Sequence, residues 1–210
     1  MIRIAIADDH PIVREGLRRI VADDSSIVVV GEASSGAELK AVLRQAPVDV
    51  ILLDISMPDS SLVEMLQFIQ EHHRTSRVLV LSVHPEDQWA VRALRSGASG
   101  YLTKDHSPDR LLAAIRRVYR GGKYVSDSLA ERLATEAGLG LTQAPHERLS
   151  DREFEVLCAL GSGITVKDAA AKLGLSSKTV STYRARILDK MNFSTGADLV
   201  RYAAQHGLIQ

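Results

Sequence analysis

Asp8-Asp9, Asp54, Ser82 and Lys104 are the residues of this 210-residue chain whose types and placement could do chemistry together. Each ends or closely follows a short apolar run: Ile4-Ala5-Ile6-Ala7 before Asp8, Ile51-Leu52-Leu53 before Asp54, Val78-Leu79-Val80-Leu81 before Ser82, and Gly100-Tyr101-Leu102 shortly before Lys104. Carboxylates gathered within a few ångström repel one another, so such a group calls for a hard cation. Mg2+ with its retained waters suits an oxygen donor set. A metal there would screen an incoming phosphoryl group and leave one carboxylate free as nucleophile. Lys104, a point charge, would pair with the transferred phosphate. Asp54 most needs such a site, because a carboxylate directly after Val-Ile-Leu-Leu has no partner in a hydrophobic strand.

Taken singly, the same residues have plainer explanations. Asp8-Asp9 can cap a helix ahead of Pro11, Lys104 can be a solvated loop lysine, Ser82 a hydrogen-bonding strand terminus, and Tyr101 a core-edge residue. The chemical reading depends on elements that bring them to one edge.

Those elements are legible. Candidate strands are Arg3–Ala7, Ile27–Ala33, Val48–Leu53, Val78–Ser82 and Gly100–Leu102. Helical patterns follow at Pro11–Ala22, Gly36–Arg44, Leu62–His72, Pro85–Arg95 and Pro108–Arg120. The strands are β-branched and nearly all apolar, Val28-Val29-Val30 included, a pattern of strands buried on both faces of a parallel sheet. Five β-α repeats with right-handed crossovers make an α/β doubly wound five-stranded parallel sheet. Ligands of such sheets sit at the carboxyl ends of the strands, where all the residues named above fall. Ser107-Pro108 reads as the N-cap and first-turn proline of the last helix, and Gly121-Gly122 stops it.

From Leu149 onward the pattern is helical only. Ser150 with Glu153 forms a capping-box signature opening a helix through Leu160, followed by Val166–Leu173, a break at Gly174, Ser177–Met191 and Thr195–His206. Ser126–Ala137 reads as a further helix and Gly138–Glu147 as a linker. The expected organisation is residues 1–123 as the α/β domain, 124–147 as linker with a helix, and 148–210 as an all-α four-helix domain. Two helices across a glycine-containing turn form a helix-turn-helix arrangement. In the third helix Val180, Ile187 and Met191 recur at core spacing. Lys178, Ser181, Thr182, Ala185 and Arg186 occupy the other face, with Arg184 and Lys190 to either side. Small and polar groups there let a helix enter a major groove, and the cations can reach phosphates. Ser176-Ser177 opens the helix, where exposed amides can also face phosphate, and Thr179 in the same first turn is a further DNA-contact candidate.

Asp8-Asp9, Asp54-Ile55-Ser56-Met57-Pro58, Leu81-Ser82 and Gly100-Tyr101-Leu102-Thr103-Lys104, in that order, resemble the receiver domain of two-component response regulators. The resemblance implies that Asp54 accepts phosphate from a sensor histidine kinase. Asp9, Asp54 and the Ser56 carbonyl would ligate Mg2+, with Asp8 helping through water. Ser82 and Lys104 would bind the phosphoryl group, and Tyr101 would change rotamer as a switch. Leu149-Ser150-Asp151-Arg152-Glu153-Phe154-Glu155-Val156-Leu157 and Lys178-Thr179-Val180-Ser181-Thr182-Tyr183 resemble the LuxR-type output domain. The whole is similar to response regulators of the NarL/FixJ class, and Thr179 to Tyr183 to the branch that includes BvgA. The class implies a homodimer on phosphorylation, an inverted repeat in double-stranded promoter DNA, and a possible RNA polymerase contact. One departure stands out: the family's glycine four positions beyond Pro58 is Leu62 here.

Composition sets the remaining bounds. The single Cys158 excludes an intrachain disulfide, and it reads as a small buried hydrophobe. No run approaches the roughly 20 apolar residues of a membrane span, and a signal-peptide layout is lacking, so a cytoplasmic protein is expected. A net charge of zero hides a surplus of three basic residues in 148–210. A dimer would double such modest phosphate contacts. The histidines show no metal-ligand spacing, and His10 reads as a helix-start neighbour. Trp89 reads as half-buried packing or a partner surface. An enzyme rival, a phosphoaspartyl hydrolase, would want an acidic residue where Ser56 stands. A binding rival is a regulator whose receiver serves only as a dimer module.

Overall fold

A computed structural model describes residues 1–57, 59–83, 86–127, 129–131 and 144–209. The chain divides into two compact units, Met1–Leu133 and Ala134–Gln210. Of the helix expected over Ser126–Ala137, the Ala130 amide bonds the Ser126 carbonyl at 3.0 Å. Residues 132–143 of that helix and linker lie outside the described residues.

In the first unit five strands alternate with five helices: β1 Ile2–Ala7, α1 Pro11–Ala22, β2 Ile27–Ala33, α2 Gly36–Gln45, β3 Val50–Asp54, α3 Leu62–His72, β4 Arg77–Ser82, α4 Glu86–Arg95, β5 Gly100–Thr103 and α5 Pro108–Tyr119. All strand pairs are parallel, in the order β2-β1-β3-β4-β5. The order reverses direction between β1 and β3, the crevice where α/β sheets bind ligands. Ile4, Ile6, Val50, Leu52, Leu79 and Leu81 belong to one buried cluster, with Leu111, Ile115 and Val118 of α5.

Two expectations are corrected. Val28, Val29 and Val30 are only partly buried, in a strand at one of the two edges of the sheet. Trp89 is 1% exposed, so it packs inside the unit and offers no partner surface. Ser107 does sit at the N-cap of α5 ahead of a first-turn proline, but its side chain makes no cap hydrogen bond.

In the described part of the second unit a 3-10 turn, Pro145–Arg148, precedes α6 Asp151–Gly161, α7 Val166–Leu173, α8 Ser177–Lys190 and α9 Gly196–Gln205. Every one of these four α-helices starts on a serine or threonine whose side chain accepts an amide from the first turn: Ser150, Thr165, Ser176 and Thr195. Each such cap satisfies an otherwise orphaned donor. Gly174 ends α7 at φ +65°, a left-handed conformation that glycine adopts without a Cβ clash. Phe154, Val156, Leu157, Val180, Ile187, Leu199 and Ala203 form the interior. Cys158 is half-buried. Among the described residues no helix is long and apolar enough to cross a membrane.

Candidate functional sites

Parallel register places the polar residues in one row. Asp54 pairs with Leu81 across β3 and β4, and Ser82 with Thr103 across β4 and β5. The Lys104 amide donates to the Ser82 carbonyl at 2.7 Å, and the Asp8 amide to the Ala33 carbonyl at 3.1 Å, so the ladders carry both residues past the strand ends. Asp8, Asp54 and Ser82 are all buried. The Lys104 ammonium lies 2.6 Å from Asp8 Oδ2 and 3.1 Å from Asp54 Oδ2. Four segments distant in sequence thus meet on the carboxyl edge.

Burial raises the Asp54 carboxyl above its ordinary pKa; Lys104 opposes that shift, Asp8 adds to it, and the Ser56 amide helps hold the charge. The cluster has spare acceptor capacity. Asp8 Oδ1 accepts the His10 amide at 2.9 Å. Asp8 Oδ2 and Asp9 Oδ1 are buried without an aligned hydrogen bond, although Lys104 and the His10 Nδ1 stand 2.6 and 2.7 Å from them. Close but poorly directed contacts leave lone pairs available. Ligand atoms of Asp8, Asp9, His10 and Asp54 all lie within 4.8 Å of one another. These residues fit a hard divalent cation held largely by carboxylate oxygen. His10 is the member that sequence reasoning set aside: it occupies the N-cap of α1 with no side-chain cap bond, and its ring turns toward Asp9. The signal was its adjacency to Asp8-Asp9. Tyr101 is buried, with its amide bonded to the Tyr124 carbonyl at 2.9 Å.

The loop after Asp54 has a definite construction without the family glycine. Leu62 is 2% exposed and forms the first residue of α3, behind a capping box of Ser61 and Glu64. The Asp59 carboxylate accepts the Gly36 and Ala37 amides at 2.5 and 2.9 Å, tying the loop to the start of α2. A Cβ at Gly36 would run into the Ser60 side chain and the Met65 methyl, so the close approach favours glycine.

On α8, Val180, Ile187 and Met191 are buried as their spacing implied, while Ser177, Lys178, Ser181, Thr182, Ala185 and Arg186 are exposed. Lys178 and Arg186 have no ion-pair partner among the described residues. The Thr182 hydroxyl donates to the Lys178 carbonyl at 3.0 Å, and Thr179 is bonded into the Ser176 cap. Arg184 is half-buried, its guanidinium over Gly196. Lys190 donates to the buried Glu153 carboxylate at 2.7 Å. Burial would raise the Glu153 pKa, yet Lys190 and the Ser150 cap outweigh it and hold the carboxyl below its ordinary value. Glu153 therefore joins the start of α6 to the end of α8.

Two family models match the chain. One describes the response regulator receiver domain over residues 4–116, and the other the bacterial regulatory proteins of the luxR family over residues 147–203. The chain is 36% identical over 209 residues to the response regulator UvrY of Escherichia coli (strain K12), covering 99% of this chain and 96% of that one. To the response regulator GacA of Pseudomonas syringae pv. syringae it is 35% identical over 210 residues, covering 100% and 98%. A structure of RcsB from Salmonella enterica serovar Typhimurium bound to promoter rprA in the presence of phosphomimetic BeF3- superposes with a TM-score of 0.60 at 26% identity, covering 97% of this chain and 99% of that one. The chain belongs to the two-component response regulators of the NarL/FixJ class. It is a DNA-binding response regulator: a receiver on the five-stranded sheet and a LuxR-type helix-turn-helix in the four helices that follow.

Proposed function

We propose that Asp54 of this response regulator is the phosphoacceptor and that its phosphorylation controls promoter binding. The observation that carries the reading is the buried Asp54 carboxylate with Lys104 Nζ at 3.1 Å and two underused acceptors, on Asp8 and Asp9, beside it. Asp54 Oδ attacks the phosphorus of a sensor kinase's phosphohistidine. The new O–P bond replaces the N–P bond, whose electron pair returns to the imidazole nitrogen. Asp8, Asp9, Asp54 and the Ser56 carbonyl would hold Mg2+, which when bound neutralises charge on the phosphoryl oxygens. Lys104 pairs with one of those oxygens, and Ser82 donates its hydroxyl to another. Tyr101 reports the change as the switch residue.

The output reading follows from α8. Lys178 and Arg186 bind phosphates, while Ser181, Thr182 and Ala185 face base edges by hydroxyl, apolar or water-mediated contact. The Ser177 amide adds a phosphate contact, Thr179 holds the Ser176 cap that shapes this first turn, and Arg184 and Lys190 lie at the borders, with Lys190 also positioning the helix through Glu153. Phosphorylation favours a homodimer that reads an inverted repeat in the cytoplasm, and RNA polymerase contact follows at the promoter. The relative's complex with promoter DNA supports this reading for double-stranded DNA.

Incubation with a small phosphodonor and Mg2+ tests the acceptor. The native chain should gain one acid-stable, base-labile phosphoryl group, and Asp54→Asn should gain none. Labelling that persists in Asp54→Asn would move the acceptor elsewhere, and phosphodonor-independent promoter binding by both would favour the receiver as a dimer module.

A further inference from the structure

A cavity of about 550 Å³ opens at the other edge of the sheet, among Arg3 at the start of β1, Val48 before β3 and Ser76 before β4. It lies on the order of 15 Å from Asp54 by the rise along β3. Its volume falls in the range of small-molecule sites. Leu43 and Val48 are buried beneath it, and the Ser76 hydroxyl donates to the Val48 carbonyl at 2.7 Å, so the floor is built rather than loose. Arg3 is neutralised by Asp49, with Nη2 at 2.6 Å from Oδ1.

The rim is cationic. Arg44 and Arg74 line the cavity with His72 and His73, and Glu71 is the acidic residue among its lining. Among the described residues neither Arg44 nor Arg74 has an ion-pair partner. A smaller recess of about 170 Å³ shares His73, Arg74 and Ser76 and adds Arg77. Burial lowers the His73 pKa, and His72 and Arg44 lower it further, as a locally positive field would. Guanidinium groups without an ion-pair partner, lining one recess, have the chemistry to bind the oxygens of a phosphate. Leu43 and Pro47 offer an apolar wall for the body that carries it.

We propose that this cavity is a second ligand site of the receiver, taking a small phosphorylated anion held by Arg44 and Arg74. The site is separate from the Asp54 cluster and needs no divalent metal.

The test is a two-dimensional amide NMR titration of the full chain with inorganic pyrophosphate, in buffer stripped of divalent metal by a chelating resin. Saturable shifts at Thr75 and Ser76 with a sub-millimolar dissociation constant are expected. Arg44→Ala combined with Arg74→Ala should weaken binding at those amides by at least about tenfold with the unfolding midpoint retained. Arg110→Ala, an exposed change on α5, should not. Absence of saturable shifts at millimolar pyrophosphate, or equal affinity in the double variant, overturns the site. A parallel arm uses vesicles containing phosphatidic acid. Sedimentation with them that depends on Arg44 and Arg74, and that pyrophosphate fails to compete, would assign the arginines to a lipid surface and overturn the small-molecule site.

Discussion

The receiver assembles its chemistry from four strand ends, whereas the output unit presents its own on one face of one helix. Asp8, Asp54, Ser82 and Lys104 become neighbours only because parallel strands in the order β2-β1-β3-β4-β5 end on a common edge. Lys178, Ser181, Thr182, Ala185 and Arg186 are neighbours by helical periodicity alone. The energetic consequence differs as well. Buried carboxylates must be compensated by a cation, as Lys104 compensates Asp8 and Asp54. The cations of α8 are exposed, and under the proposed reading a polyanion would bind them by displacing water and counterions. One site is tuned by desolvation, the other by salt.

That contrast can be broken or sharpened in four ways. The largest effect belongs to the output interior: Phe154→Ala should destabilise the second unit by about 3–5 kcal/mol in denaturant unfolding. Phosphate uptake at Asp54 should stay unchanged in that variant, and a matching loss of uptake would show that the units do not carry separate cores. Next, Lys104→Met should slow phosphate incorporation by roughly 10²–10³, the scale of losing one preorganised electrostatic donor. A rate within a few-fold of native would remove Lys104 from the reaction.

Lys178→Ala and Arg186→Ala should weaken binding on all DNA sequences and flatten the salt dependence, each by about 0.9 per protomer, so about 1.8 for the dimer, in the slope of log affinity against log salt. An unchanged slope means that these side chains miss the phosphates. The smallest effect concerns Glu153, whose folded-state carboxyl lies below its ordinary 4.5. A depressed carboxyl contributes stability above that ordinary value and loses it as pH falls through the folded one. Stability of the native second unit should therefore fall more steeply below about pH 4.5 than that of Glu153→Gln. Parallel pH profiles would deny the pair with Lys190 that role.

Much of this was legible in sequence for identifiable reasons. Pro11–Ala22, Ile27–Ala33, Leu62–His72 and Val166–Leu173 were delimited to the residue, because prolines, serine and threonine caps and a glycine stop are local signals. The end of α8 was overshot by one residue at Met191, whose burial continues the apolar spacing past the last helical turn. Edge position was not legible: three consecutive valines read alike in a central and an outer strand, and only the pairing order places β2 at an edge of the sheet. Trp89 was expected to be half-buried and is fully buried, because a single large aromatic in an amphipathic helix does not announce which neighbour covers it.

By itself, the sequence determined the order of strands and helices, the two chemically distinct halves and the residue types offered at each strand end, all of which rest on period, caps and composition. Tertiary structure alone decided that Lys104 reaches both Asp8 and Asp54, that His10 turns into the same cluster, that Asp59 ties the Leu62 loop to α2, and that Lys190 is joined to Glu153. The division has a physical cause. Local signals act over a turn or a strand, but ion pairing and desolvation depend on distances between segments, which exist only once the chain has closed on itself.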